Sequence, residues 1–184
     1  MATGTVLMTA EEYADLPDPH GCPTELVKGV LITMAPPRPR HGQICMQIGY
    51  LLRRYLDDHP TGQVLCNDSG VITERDPDTV RGADIAYYSF ERVPKGPIAA
   101  GLLDVAPDLV FEILSPSDRW SEVQIKVDEY LEAGVRAACV VDDDTRRVHV
   151  FRGDQPIRIF KDADEFVLPD VLEKFRVNTA RFFE

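Results

Sequence analysis

The chain has no apolar run approaching the roughly 20 residues that span a bilayer. Its opening Met1-Ala2-Thr3-Gly4-Thr5 lacks the basic and apolar regions of a secretory signal. A cytoplasmic protein with no membrane partner is the expectation. Basic residues are also scarce: 20 Lys and Arg stand against 31 Asp and Glu, for a net charge of -11. That balance argues against a broadly basic phosphate-binding face, so any nucleic-acid function must be local. The short basic groups Arg38, Arg40 and His41, Arg53 and Arg54, and Arg146 and Arg147 read first as solvated surface. Four cysteines, Cys22, Cys45, Cys66 and Cys139, are too scattered for a zinc pattern or a disulfide framework, and buried free thiols are expected. No repeat, low-complexity tract or second-domain boundary stands out. A length of 184 residues, 44% of them hydrophobic, suits a single domain over 1–184 with its own core.

What is present alternates between strand and helix signals. Thr9 and Glu12 have the spacing of a capping box, with Tyr13 and Leu16 as anchors of the short helix that follows. The turn formers of 15–23 predict a loop, and Lys28-Gly29 predicts the turn of a hairpin spanning 25–34. Ile44, Ile48, Leu51, Leu52, Tyr55 and Leu56 recur at helical spacing, predicting a helix from about His41 to Asp58. Strands are predicted over 63–73, 82–89 and 108–114, with a loop over 92–107. A second amphipathic helix over 119–133 carries Val123, Val127, Tyr130 and Leu131 on one face and ends at Gly134. Strands over 137–141, 147–151 and 157–160 complete the pattern, the first two joined by an acidic turn at 142–145. Ser115-Pro116-Ser117 has no sequence-specified histidine base and reads as a helix start. The expected class is α/β (α+β), a mixed sheet flanked by helices.

Two carboxylates break this pattern. Asp84 lies within Ala83-Asp84-Ile85-Ala86-Tyr87-Tyr88, and Glu112 within Leu109-Val110-Phe111-Glu112-Ile113-Leu114. Such segments read as strands buried on both faces, where an acid is costly without hydrogen bonds, an ion pair or a metal. Alternation places Glu112 with Val110 and Leu114, and Asp84 with Ala86 and Tyr88. Adjacent strands could therefore aim both acids at one point, where a cation such as Mg²⁺ or Mn²⁺ would relieve their repulsion. Lys126 lies at the edge of the second helix's apolar face, able to reach inward or to form a surface pair with Glu122 or Glu129. Taken alone, Glu25 reads as an exposed strand-end acid, and His41 as a surface or capping histidine.

The ordered segments Thr-Glu25-Leu-Val-Lys-Gly-Val-Leu, Arg-Gly-Ala-Asp84-Ile-Ala-Tyr, Pro-Asp-Leu-Val-Phe-Glu112-Ile-Leu-Ser-Pro-Ser-Asp and Lys126-Val-Asp-Glu-Tyr-Leu-Glu-Ala-Gly-Val resemble the Uma-type restriction endonuclease family. That family is similar to a branch of the PD-(D/E)xK nucleases. The resemblance runs from about Thr9 to Arg152 and extends to the closing segment 168–175. It implies a restriction-endonuclease-like fold and metal-dependent hydrolysis of phosphodiester bonds in DNA. It further implies Asp84 and Glu112 as ligands of Mg²⁺ or Mn²⁺, and Glu25 as a further acidic ligand. The superfamily lysine usually follows the second acid by two positions. That position is Leu114 here, and the match places the replacement at Lys126. His41 and Gln43, at the start of the first long helix, are candidate substrate contacts. A homodimer would present two sites to two strands. Two alternatives stay open: a nuclease fold kept as a weakly catalytic or inactive binding and assembly protein, and a metal-free structural network of buried acids.

Overall fold

The computed structural model describes residues 7–17, 22–98, 100–116, 118–153 and 155–184. Part of the expected loop over 15–23, and Ser117, fall outside them. Thr9 opens helix α1 (Ala10–Ala14) with a reciprocal cap. Its Oγ1 accepts the Glu12 N–H at 3.2 Å, and Glu12 accepts the Thr9 N–H at 2.9 Å. The Tyr13 hydroxyl donates to the Thr24 carbonyl at 2.6 Å. Leu16, the other expected anchor, is exposed because the helix ends at Ala14, and Ala10 is the buried residue instead.

Strands β1 (Thr24–Val27) and β2 (Val30–Thr33) form the expected hairpin. Lys28 and Gly29 both take positive φ, 49° and 74°, the turn whose twist suits paired strands. Helix α2 (Pro39–Asp58) starts on a proline whose fixed φ suits a first turn, and buries Ile44, Ile48, Leu51, Leu52 and Leu56. Strands β3 (Gly62–Glu74), β4 (Thr79–Ser89) and β5 (Leu109–Ile113) follow. Helix α3 (Trp120–Glu132) is terminated near Gly134, whose φ of 95° favours glycine. Strands β6 (Ala137–Asp142) and β7 (Arg147–Phe151) flank a turn in which the Asp142 carboxylate accepts from the Thr145 N–H and hydroxyl. Strand β8 (Arg158–Lys161) ends the large sheet. A separate hairpin, β9 (Glu165–Leu168) with β10 (Leu172–Asn178), and a closing 3₁₀ turn (Thr179–Phe183) complete the chain. No helix among the described residues is long and apolar enough to cross a membrane.

The eight-stranded sheet runs β2, β1, β4, β5, β6, β7, β8, with β3 paired to β4. Strands β5 and β6 are parallel and joined through α3, and the other pairings are antiparallel. Alternation along β5 divides two cores. Leu109, Phe111 and Ile113 pack with α2, the β9–β10 hairpin and the 3₁₀ turn, whereas Val110 packs with Val127 and Tyr130 of α3.

Strand β4 places the polar centre. Strand β3 pairs along it from Thr79 to Ser89. Its other side meets β1 at Leu26↔Val80, and meets β5 only from Ile85↔Phe111 to Tyr87↔Leu109. The intervening stretch, residues 81–84, is where strand partners change.

The larger core rests on aromatic contacts from the end of the chain. Phe166 lies 4.9 Å from Phe160, 5.0 Å from Phe182 and 6.1 Å from Phe111, between ring centroids. Phe166→Ala is expected to destabilise the fold by about 3–5 kcal/mol, read as a lowered midpoint in urea unfolding. A loss below about 1 kcal/mol would show that the terminal hairpin docks without supporting the sheet.

Candidate active site

Side chains satisfy the backbone where β4 changes partners. The Gly82 N–H donates to Glu25 Oε1 at 3.0 Å, and the Gly82 carbonyl accepts from Lys126 Nζ at 2.9 Å. The Ile113 N–H of β5 donates to Asp84 Oδ2 at 2.6 Å. An unpaired buried backbone group costs about as much as a lost hydrogen bond, so these contacts are part of the fold as well as the site.

Lys126 is fully engaged. Besides Gly82, its ammonium meets Glu25 Oε1 at 2.9 Å and Glu112 Oε2 at 2.8 Å, which accounts for its three protons. The Tyr130 hydroxyl, one turn along α3, donates to Glu112 Oε1 at 2.8 Å. Arg81 forks onto Glu129 of α3 at 2.5 and 2.9 Å and reaches Glu25 Oε2 at 2.8 Å. Four elements, β1, β4, β5 and α3, are thus tied through one buried network.

Its electrostatics follow from burial and neighbours. Burial pushes the Glu112 carboxyl up to about 7, opposed by Lys126. Burial also disfavours the Lys126 charge, but Glu112 and Glu25 outweigh it and hold the ammonium above its usual range. For Glu25 the desolvation is outweighed by Lys126 and Arg81, which hold its carboxyl below the usual range. Asp68, brought in by a register shift in β3 between Cys66 and Ser69, is pushed upward by burial and by the Asp84 charge. Glu25, Asp68, Asp84 and Glu112 line one pocket of about 330 Å³ with His41 and Lys126.

The structure therefore brings Glu25, Asp84, Glu112, Lys126 and His41 together. Glu25 is buried, contrary to the exposed strand-end reading, because it supplies the acceptor that Gly82 lacks. Lys126 forms no surface pair with Glu122 or Glu129: Arg119 takes the first at 3.9 Å and Arg81 the second. His41 is neither a surface nor a capping residue. Its Nε2 lies 3.2 Å from Asp84 Oδ2, and that contact, opposed by burial, raises the imidazole pKa. Gln43 does not join the site. It accepts from Arg40 at 3.0 Å and donates to the Glu184 carbonyl at 3.4 Å, since two residues along a helix turn a side chain by about 200°. The Asp84 carboxylate occupies the strand gap between Ile113 and His41, while Ala86 and Tyr88 pack toward α3.

Arg81, Asp68 and Tyr130 escaped the sequence reading. Tyr130 carried a usable signal, four residues after Lys126 on one helix face, and Asp68 carried one too, since Asn67-Asp68-Ser69-Gly70 is a run of turn formers inside a strand and both Asn67 and Asp68 take positive φ. The four cysteines are free, but of the expected buried thiols Cys139 alone is buried: Cys22 and Cys45 are half-buried, and Cys66 is exposed beside the register shift where β3 parts from regular pairing with β4. The basic groups are partly consumed in pairs: Arg40 with Asp143, Arg53 with Asp57 and Arg146 with Asp162.

Removing one member of a buried ion pair strands the other charge. Arg81→Met is accordingly expected to cost about 3–5 kcal/mol in urea unfolding. A near-neutral result would mean that Glu25 and Glu129 find water or other partners.

Comparisons with known proteins bear on what such a site belongs to. No curated protein matches the chain. A solved structure described as a putative nuclease belonging to DUF820 from Anabaena variabilis ATCC 29413 is similar, with a TM-score of 0.81. That likeness covers 96% of this chain and 97% of the other at 22% identity, and it shows the fold. Residues 10–180 match the family described as Uma2, "Putative restriction endonuclease". With nearly all of its length matched, and with the ordered acids and lysine gathered at one place, the chain belongs to the Uma2 family.

Proposed function

We propose that this protein is a metal-dependent endonuclease that hydrolyses phosphodiester bonds in DNA. The observation that carries the reading is the convergence of Glu25, Asp84 and Glu112, from three strands, around Lys126 in one pocket. Family membership supports a nuclease. The donor set fits Mg²⁺ or Mn²⁺: it consists of carboxylate oxygens, the donors these ions prefer. The pocket also gathers four carboxylates, Glu25, Asp68, Asp84 and Glu112, and a cation would relieve their mutual repulsion.

Asp84 and Glu112 would hold the ion, with Glu25 as a further acidic ligand. When bound, the ion supplies charge stabilisation at phosphate and an activated water. Lys126 remains protonated and presents a fixed positive charge to a phosphate oxygen. Tyr130 orients Glu112, and His41 with the Ile113 N–H orients Asp84. Arg81 holds Glu25 against Gly82 and α3 against β4. A homodimer would set two such pockets against the two strands of a duplex, which light scattering with and without DNA would reveal.

The test is cleavage of labelled DNA and RNA with Mg²⁺ or Mn²⁺. DNA should be cut, and Asp84→Asn or Glu112→Gln should abolish cutting while circular dichroism stays native. Lys126→Gln should lower kcat by about 100- to 1000-fold. Normal cleavage by the two folded acid variants would overturn the assignment, and RNA-restricted cleavage would reassign the substrate. One feature favours a binding or assembly role instead: Lys126 is already closed on both glutamates. Metal-independent DNA binding without cleavage would select that role.

A further inference from the structure

The side of the pocket toward α2 has a different chemistry. His41 and Cys45 stand one turn apart on α2, with Cys45 Sγ 3.5 Å from His41 Nδ1. Asp84 Oδ2 approaches the other ring nitrogen of His41 at 3.2 Å. One ligand atom from each of the three residues lies within 4.8 Å of the others. All three line an open pocket of about 520 Å³ between α2 and β3, which also takes in Cys66. Nothing in the proposed phosphodiester chemistry uses Cys45 or Cys66.

We propose that His41, Cys45 and Asp84 form a second cation site, specific for Zn²⁺ or Cd²⁺ over Mg²⁺, whose occupation inhibits cleavage by capturing Asp84. Thiolate and imidazole ligands select borderline and soft ions, whereas Mg²⁺ prefers oxygen. Zinc bonds to such donors are about 2.0–2.3 Å long, so atoms already within 4.8 Å of one another need only modest side-chain rotation to share an ion. The open pocket supplies an entry path and room for a fourth ligand, either water or Cys66. The inhibitory consequence rests on the nuclease reading, because it assumes that Asp84 holds the hydrolytic ion. The binding itself does not.

Cd²⁺ titration followed by ultraviolet thiolate-to-metal charge-transfer absorption tests the site directly, without an activity readout. The full chain is expected to give a saturable band that Cys22→Ser keeps and Cys45→Ser loses. Zn²⁺ affinity by calorimetry should fall by more than about tenfold in Cys45→Ser and in His41→Gln, with circular dichroism confirming that both are folded. A band and affinity unchanged in these two folded variants would overturn the proposal, as would the absence of a band in the full chain. In the cleavage assay, Zn²⁺ should inhibit the Mg²⁺-supported reaction of the unmodified protein. Cys45→Ser should keep that reaction and resist Zn²⁺. A Cys45-dependent band without any DNA cleavage would overturn the nuclease reading alone. Mg²⁺-supported cleavage without the band would overturn the second site alone.

Discussion

The change of strand partner along β4 is the constraint on which the site depends. Between the pairing of Val80 with β1 and that of Ile85 with β5, Gly82 presents an N–H and a carbonyl that side chains satisfy. A glutamate from β1 and a lysine from α3 do so, and both must be brought inside to reach it. The polar cluster is therefore not an addition to a finished fold. It is the means by which two sections of one sheet edge are joined without an unsatisfied backbone group.

Burying the charges has consequences of its own. An ion-pair network of this kind stabilises less than a packed apolar core of the same volume, although removing one member is damaging. Here the acids also outnumber their close basic partners. Lys126 and Arg81 hold Glu25 below its ordinary range, yet Glu112 stays raised by burial. The fold gathers four carboxylates in a concave place, and a cation bound there, as proposed, would relieve their mutual repulsion. The same negative centre lies in a chain of net charge -11, so any grip on a nucleic acid must come from metal and a few local cations rather than from a basic face.

Helix α3 concentrates the control of this place. Lys126, Glu129 and Tyr130 lie within little more than one turn: Lys126 meets Glu25 and Glu112, Glu129 meets Arg81, and Tyr130 meets Glu112. Helix α2 works from the opposite side through His41 and Cys45. Asp84 is reached from α2 through His41 and lines the same pocket as Glu112, which α3 holds, so the two cation chemistries proposed for this pocket would compete at that residue.

Much of this was legible before the fold was known, because periodicity and turn chemistry are local properties. Helical spacing found α2 and α3, Lys28-Gly29 found its hairpin, and two acids in apolar segments marked the centre of the site. The β9–β10 hairpin was missed because its burial is decided by Phe160 and Phe182 from elsewhere in the chain. Gln43 was misplaced because proximity to His41 in sequence becomes separation around a helix. Sequence by itself determined which residues were chemically expensive and in what order they occur. Only the tertiary structure decided that Glu25 is buried, that Arg81 and Asp68 take part, and that Cys45 faces His41. Those outcomes depend on where β4 exchanges one neighbour for another and on what the β3 register shift faces, and which groups meet at each place is set by long-range strand pairing.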